Sequence, residues 1–251
     1  VAVPMLVAAG ADLDKALFGS RMAVGHPIHP LVADADSAAA LLLADGDDVH
    51  LVPREMVGLT RHASIDPFRR LFAVEWTPTP ATRIGGAALW EQALDHGALF
   101  AAAQLLGLAQ RAVDMSVAYT KEREQFGKPI GSFQAVKHHL ANAQVKIEFA
   151  RPVILAAATM PASARVSHAK LAATAAADAA THAAVQVHGA MGFSWEVDVH
   201  FLLKRSLALG QAWGTPAFHR ARVAEHIVSA PLGADRTFDA PPSEEVRREA
   251  A

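Results

Sequence analysis

The sequence predicts a mainly α-helical α+β protein: a small antiparallel β-domain, then a C-terminal bundle of long helices, behind an N-terminal helical domain that reads as incomplete. Three observations carry this. Between Met22 and Thr77, short apolar and β-branched runs alternate with polar residues and are broken by turn residues. From Ala87 the texture changes to Ala/Leu-rich stretches with very few breakers until Pro129. With 52% hydrophobic and 19% charged residues, the 251-residue chain can bury one large core or two modest ones.

Residues 1–21 contain one short apolar run, too little for a domain, and are expected to be the remnant of an N-terminal region whose remainder lies outside this numbering. Residues 22–80 are expected to form a partial middle β-domain. "AALLLADGDDVHLVP" reads as strand, turn and strand, because Asp45 and Gly46 tolerate positive φ. "RRLFAVEWTPTPA" places Phe72, Val74 and Trp76 on one face of a strand, and Pro78 and Pro80 are expected to close the sheet and link onward. Residues 81–230 are expected to form the bundle. Leu94, Ala98, Ala101, Leu105, Leu108, Ala112 and Met115 recur at intervals of three and four, one stripe of a helix about ten turns long. Gly127, Pro129 and Gly131 end it, and Ser132 is positioned to cap a second helix reaching about Thr159, with Phe133, Val136, Leu140, Ala143, Ile147, Ala150 and Ile154 on one side. After Pro161 comes a third helix whose many alanines permit close packing, then two shorter amphipathic runs. Residues 231–251 read as a flexible tail.

A net charge of -2 offers no polybasic footprint for nucleic acid or an anionic membrane surface. The absence of Cys excludes disulfides, thiolate metal sites and a Cys nucleophile. No apolar run is long enough to span a bilayer and the first residues lack a signal-peptide pattern, so a cytoplasmic location is the default expectation. His26 and His29 in "GHPIHP" fit a rigid turn better than a metal site, since no third ligand lies near in sequence. His138 and His139, adjacent on a helix, diverge by about 100°. Asp34 and Asp36 read as loop residues, and Trp195 and Glu196 as packing and N-terminus of the following helix.

Two stretches could carry chemistry. Lys121, Glu122, Arg123 and Glu124 end the first long helix, which suits either a solvated helix end or an Arg123 aimed at an anion, the guanidinium fork matching phosphate oxygens. In "QVHGAMGFSWEVDVH", Gly189 and Gly192 interrupt a helix. A C-cap explains them, and so does a turn whose backbone N–H groups, with Gln186, receive a pyrophosphate or an adenine edge.

Together, "AYTKEREQFGKPIGSFQAVKHHLAN" and "QVHGAMGFSWEVDVHFLLKR" resemble the acyl-CoA dehydrogenase family in residue types, order and separation, and "LVPREMVGLTRHASIDPFRRLFAVEW" is similar to the end of that family's middle β-domain. The resemblance covers roughly 22–227 and is strongest from Ala87. It implies FAD, held across a dimer interface by the ends of these helices: Arg123, Gln125, Phe126, Phe133 and Gln134 from the first stretch, Gln186, Val187, Gly189 and Ala190 from the second, with Ala190 where a second glycine is usual.

The departures are equally specific. The family's own-subunit flavin segments, of the type Thr-Glu-Pro-x-x-Gly-Ser-Asp and Trp-x-x-Ser/Thr, are not found. The family's catalytic base is a Glu in a stretch that "QAWGT" matches, which puts Trp213 at that position. The minority alternative position, on the first long helix, holds Gly97, with Asp95 and Glu91 off the face. No residue is therefore assigned as catalytic. The resemblance implies a base-lacking subunit that completes the FAD site of a second acyl-CoA dehydrogenase-like chain in an α2β2 heterotetramer. An acyl-CoA substrate and an electron-transfer flavoprotein are the expected partners. The alternatives are a complete homotetrameric dehydrogenase seen as a truncated chain and a flavin-free assembly subunit.

Overall fold

The computed structural model describes residues 1–10 and 21–229. The expected tail at 231–251 lies outside the described residues. Helix α1 (Ala2–Ala8) is followed by strands β1 (Met22–Gly25), β2 (Val32–Ala33), β3 (Ala40–Asp45), β4 (Asp48–Pro53), β5 (Gly58–His62), β6 (Leu71–Glu75) and β7 (Arg83–Gly85). Then come α2 (Ala87–Glu122), the short hairpin β8 (Glu124–Gln125) and β9 (Lys128–Pro129), α3 (Gln134–Thr159), α4 (Ser163–His188), α5 (Val199–Gln211) and α6 (Pro216–Ser229).

The strands form two small sheets, ordered β1-β3-β4-β7 and β2-β6-β5. Leu41, Leu43, Val52, Ala23, Val32 and Phe72 fill the space between them. Leu42 and Val49 point to the opposite face, against Met5 and Leu6 of α1 and Trp90 of α2. Both faces of β3 are thus covered, which is why Leu41, Leu42 and Leu43 are apolar in succession rather than alternating. Three local expectations are corrected. β1 pairs parallel with β3, because the chain between them crosses to β2 in the other sheet instead of turning back directly. β7, beyond Pro78 and Pro80, pairs with β4, so the prolines bend the chain but do not close the sheet. In the β3–β4 hairpin Asp45 pairs with Asp48, and Gly46 takes the positive φ (57°) while Asp45 does not.

In the bundle, the predicted stripe from Leu94 to Ala112 is buried along α2, with Met115 partly buried and packed against the same core. Helix α4 lies at the centre and packs on α2, α3, α5 and α6. Ala169, Ala173, Ala176, Ala177, Ala180 and Ala184 are all buried along it, so small side chains let four neighbours approach one helix. Leu105 and Ile147 are fully buried, and truncating either to Ala costs about 2–5 kcal/mol. Ser132 does not cap α3: it lies in a 3-10 turn (Ile130–Ser132), and Phe133 occupies the N-cap without a side-chain bond. Because α2 and α4 are each antiparallel neighbours of α3 in chain order, both C-terminal ends fall at one end of the bundle. Tyr119 near the end of α2 stacks on His188 at the end of α4, with ring centroids 4.2 Å apart.

Candidate functional site

Two places are built by the residues that the sequence singles out. The first is the end of the bundle where α2 and α4 stop. After Arg123 the chain makes a two-residue hairpin, Glu124 pairing with Pro129 and Gln125 with Lys128. Its central residues, Phe126 (φ 54°) and Gly127 (φ 76°), both have positive φ, the requirement of a tight hairpin turn. Glycine meets it freely. Phe126 meets it under strain while 91% exposed, so its ring gains almost no burial within the chain. Phe133 stands edge-on at 6.1 Å from the Phe126 ring, and Lys128 Nζ lies 4.5 Å from the Phe133 ring centre. The turn is fastened to α2 by the Ile130 N–H donating to the Arg123 carbonyl (2.8 Å) and by Gly131, where a Cβ would sit 2.9 Å from the Thr120 carbonyl oxygen.

Arg123, Gln125, Gln134, Gln186, Gly189 and Ala190 are exposed at this end, with Val187 partly buried. Among the described residues the Arg123 guanidinium has no side-chain partner, and Gln125 donates only to the neighbouring Glu124 carbonyl (2.8 Å). Gly189 caps α4 at φ 59°, and its N–H donates to the Val185 and Gln186 carbonyls. That N–H is therefore spent on the helix end and is not the free donor the sequence suggested. Trp195 is 73% exposed, lying against His200 and Phe201 with Lys204 Nζ 5.0 Å from its ring, so it coats the surface of α5 rather than its packed side.

The second place is the seam between the β layer and the bundle. Trp213, in the loop between α5 and α6, faces Gly97 on α2: a Cβ built on Gly97 would lie 2.1–2.5 Å from three atoms of the indole. Trp213 itself has φ 59°. Its backbone N–H donates to His29 Nε2 (2.6 Å), and its backbone carbonyl accepts from His219 Nε2 (2.9 Å). His219 Nδ1 accepts from the Ser167 hydroxyl (3.1 Å), which receives Arg222 (3.3 Å). Arg222 also pairs with Asp95 (2.9 Å) and approaches Glu91 (3.8 Å), and Asp95 accepts from Ser163 (2.6 Å). The two carboxylates nearest this seam on α2 are thus engaged by a cation on α6. His26 closes the seam from the β side, its Nε2 donating to the Trp90 carbonyl (3.0 Å) and its Nδ1 accepting from the Ile28 N–H (3.1 Å).

Electrostatics agree with this geometry. Burial, reinforced by nearby Arg69, His26 and Lys170, lowers His29 to about 4. His219 is likewise lowered to about 4, mainly by burial. Both are neutral imidazoles at pH 7, as their acceptor nitrogens require. Lys170, 1% exposed on α4, is lowered to about 8 by burial and donates to the Leu209 (2.8 Å) and Gly210 (3.0 Å) carbonyls, the open C-terminus of α5 that carries the Trp213 loop. Among the described residues no cluster of His, Asp or Glu could hold a metal ion, and no helix is long and apolar enough to cross a membrane.

A β layer seated on a bundle whose first and third helices end together is a known architecture. It superposes on a glutaryl-coenzyme A dehydrogenase structure with a TM-score of 0.76 at 22% identity, over 87% of this chain and 64% of that one. It also superposes on the ChsE4-ChsE5 complex from Mycobacterium tuberculosis with a TM-score of 0.72 at 26% identity, over 85% and 64%. Residues 85–228 match the model of the acyl-CoA dehydrogenase C-terminal domain, and the chain belongs to the acyl-CoA dehydrogenase family. It is similar to the acyl-CoA dehydrogenase IpdE2 of Mycolicibacterium smegmatis (37% identical over 186 residues, 74% of this chain and 57% of that protein). The IpdE2 of Mycobacterium tuberculosis is 34% identical over 222 residues, 84% of this chain and 66% of that protein. The chain thus spans less than two thirds of the length of these relatives.

The family's members are FAD-dependent flavoproteins, and the first place fits part of that group. An exposed guanidinium without an internal partner suits a pyrophosphate, and an aromatic side chain held in solvent at a strained φ suits a ring system laid over it. Sequence reasoning read His26 and His29 as turn residues without their role at the seam, and missed Tyr119 and His188 at the bundle end and Lys170 and His219 at the seam. His29 and Trp213 are 184 positions apart, and no local signal links them.

Proposed function

We propose that this chain is the base-lacking subunit of a heteromeric FAD-dependent acyl-CoA dehydrogenase, and that it completes the flavin site of a second, acyl-CoA dehydrogenase-like chain. The observation that carries this reading is the contact between Trp213 and Gly97. The resemblance puts the family's catalytic Glu at one or the other of these positions; here an indole fills the space between them, and the neighbouring Asp95 and Glu91 face Arg222. An indole does no acid or base work, and loss of a general base typically costs about 10²–10⁴-fold in rate. FAD, when bound, supplies the hydride acceptor for α,β-dehydrogenation of an acyl thioester.

This chain's own residues bind and orient. Arg123 neutralises the pyrophosphate, Phe126 and Phe133 cover the dinucleotide, and the amides of Gln125, Gln134 and Gln186 hydrogen-bond to it, with the turn at Val187, Gly189 and Ala190 forming the adjoining wall. In support, the bundle end presents Arg123, Phe126, Gln134 and Gln186 outward, Arg123 without a side-chain partner among the described residues, as a site completed by another chain requires, and a structural neighbour is itself a complex of two chains. On this reading the assembly is an α2β2 heterotetramer acting on acyl-CoA in the cytoplasm, with an electron-transfer flavoprotein as acceptor.

The test is purification alone and with the partner chain. The chain alone is expected to be colourless and inactive, and the complex yellow with one FAD per pair of chains and turnover abolished by neutralising the partner's catalytic carboxylate. A full flavin complement and turnover in the isolated chain would favour a complete homotetrameric dehydrogenase, and a colourless complex a flavin-free scaffold.

A further inference from the structure

We infer that the Trp213 indole is a fitted plug that closes this chain's own cleft to acyl thioesters, with Gly97 shaped to receive it and His29 and His219 fastening the backbone that carries it. The inference rests on the assignment of a base-lacking subunit and goes further, since a missing base alone would leave an open, idle cleft.

Three features mark the indole as built in rather than merely tolerated. Helix α2 has no room for any side chain at position 97, because a Cβ there would stand 2.1 Å from indole Cδ2 and 2.4 and 2.5 Å from two further ring atoms. Glycine in a helix interior is costly, so the fit of the ring is what this position accommodates. Trp213 adopts φ 59° and Gly214 follows at φ 101°, a backbone that an aromatic residue takes only when its surroundings over-determine it. The surroundings do so. The Trp213 N–H is held by His29 from the β side and its carbonyl by His219 from α6, while His26 and His29 lie edge-on to the indole at 5.7 and 6.4 Å. His219 is set in turn by Ser167 of α4, and Lys170 of the same helix holds the end of α5 just before the loop. Groups from the β side, α4 and α6 therefore hold the loop that sets one ring against one glycine. A cavity of about 250 Å³ lies against the residues on either side of Trp213 in the loop, lined by His29, Arg69, Leu71, Ala212, Gly214 and Thr215 among others.

The test is a cycle in the full-length chain. Gly97→Ala is expected to lower the melting temperature by several degrees when Trp213 is present and to raise it in a Trp213→Gly background, where no ring meets the new methyl and Ala is the better helix former. Octanoyl-CoA, followed by calorimetry, is expected to bind the Trp213→Gly chain at least tenfold more tightly than the parent. If Trp213→Gly does not fold, Trp213→Leu takes its place in both arms. His29→Ala is expected to loosen the plug and admit octanoyl-CoA in part, whereas His29→Gln, which can still accept the Trp213 N–H, keeps the cleft closed; equal binding by these two variants would remove the fastening role of His29. Equal effects of Gly97→Ala in both backgrounds would overturn the fit, and no gain in octanoyl-CoA binding on removing the ring, whether both chains bind or neither does, would overturn the closure. Turnover by the isolated chain supplied with FAD refutes the base-lacking assignment whatever the cycle gives, so the two failures are distinguishable.

Discussion

The two ends of this bundle treat their polar and aromatic groups in opposite ways. At the seam with the β layer, the backbone of Trp213 is bonded on both sides, its indole is fitted to a glycine, and the chain Asp95–Arg222–Ser167–His219 leaves no member idle. At the far end, Arg123 has no side-chain partner among the described residues, and Phe126 is held in solvent on a strained turn. Both regions contain a non-glycine aromatic residue at positive φ, yet only one is compensated from within. The strained backbone of Trp213 is bonded at both its N–H and its carbonyl, whereas among the described residues the Phe126 ring has only the edge of Phe133 beside it and otherwise faces solvent, the exposed arrangement on which the proposed completion by another chain rests.

Perturbations of the isolated chain should separate the two, the seam giving the large effects. Lys170→Met leaves the Leu209 and Gly210 carbonyls without their donor and should cost about 2–6 kcal/mol in denaturant unfolding, at about 1–3 kcal/mol for each group left unsatisfied. A loss below 1 kcal/mol would mean that water replaces the ammonium and that the seam is less closed than it looks.

Acid should act next. His29 and His219 are lowered from 6.5 to about 4, so the unfolded chain binds their protons first. Their contribution is complete above pH 6.5, is lost as pH falls from 6.5 toward 4, and changes little below that. The loss should be about 3 kcal/mol from the fully buried His219, with a smaller addition from the partly exposed His29, whose share is discounted for solvent screening. Melting temperatures followed across this window should flatten in the His29→Gln, His219→Gln double variant, and an unchanged slope would move the acid sensitivity elsewhere.

The far end should respond weakly and with the opposite sign. Phe126→Asn, suited to positive φ, should stabilise the isolated chain by about 1 kcal/mol while lowering FAD retention in the complex. The smallest effect belongs to Arg123→Ala: unfolding free energy within about 0.5 kcal/mol of the parent, with FAD in the complex weakened about tenfold or more, as the loss of a charge-assisted bond of about 1.5–3 kcal/mol predicts. A marked drop in the melting temperature of the isolated chain would turn Arg123 back into an ordinary helix-end residue.

Much of the fold was legible because it is periodic. The α2 stripe from Leu94 to Ala112 and the α3 stripe from Leu140 to Ile154 are buried as their spacing predicts, since a helix side chain's direction follows from its position in the turn. The breaks at Gly127 and Gly189 were legible because positive φ favours glycine. Local wording misled where it had more than one structural outcome. Ser132 is a good cap by composition but falls in a 3-10 turn, and Pro78 and Pro80 look terminal although β7 follows them into the sheet. The parallel pairing of β1 with β3 was invisible, because residue types along a strand do not encode the direction of its neighbour.

The sequence by itself determined the helices, the turn that presents Arg123 and Phe126, and the presence of an indole at position 213 and a glycine at position 97. Tertiary structure decided what those two residues are to each other. Gly97 and Trp213 meet only because α2 and the loop before α6 converge on the seam, and His29 reaches Trp213 across 184 positions only because the β layer packs against the bundle there. Periodicity is a property of neighbours in the chain and can be read along it; complementarity between one ring and one missing side chain is a property of neighbours in space.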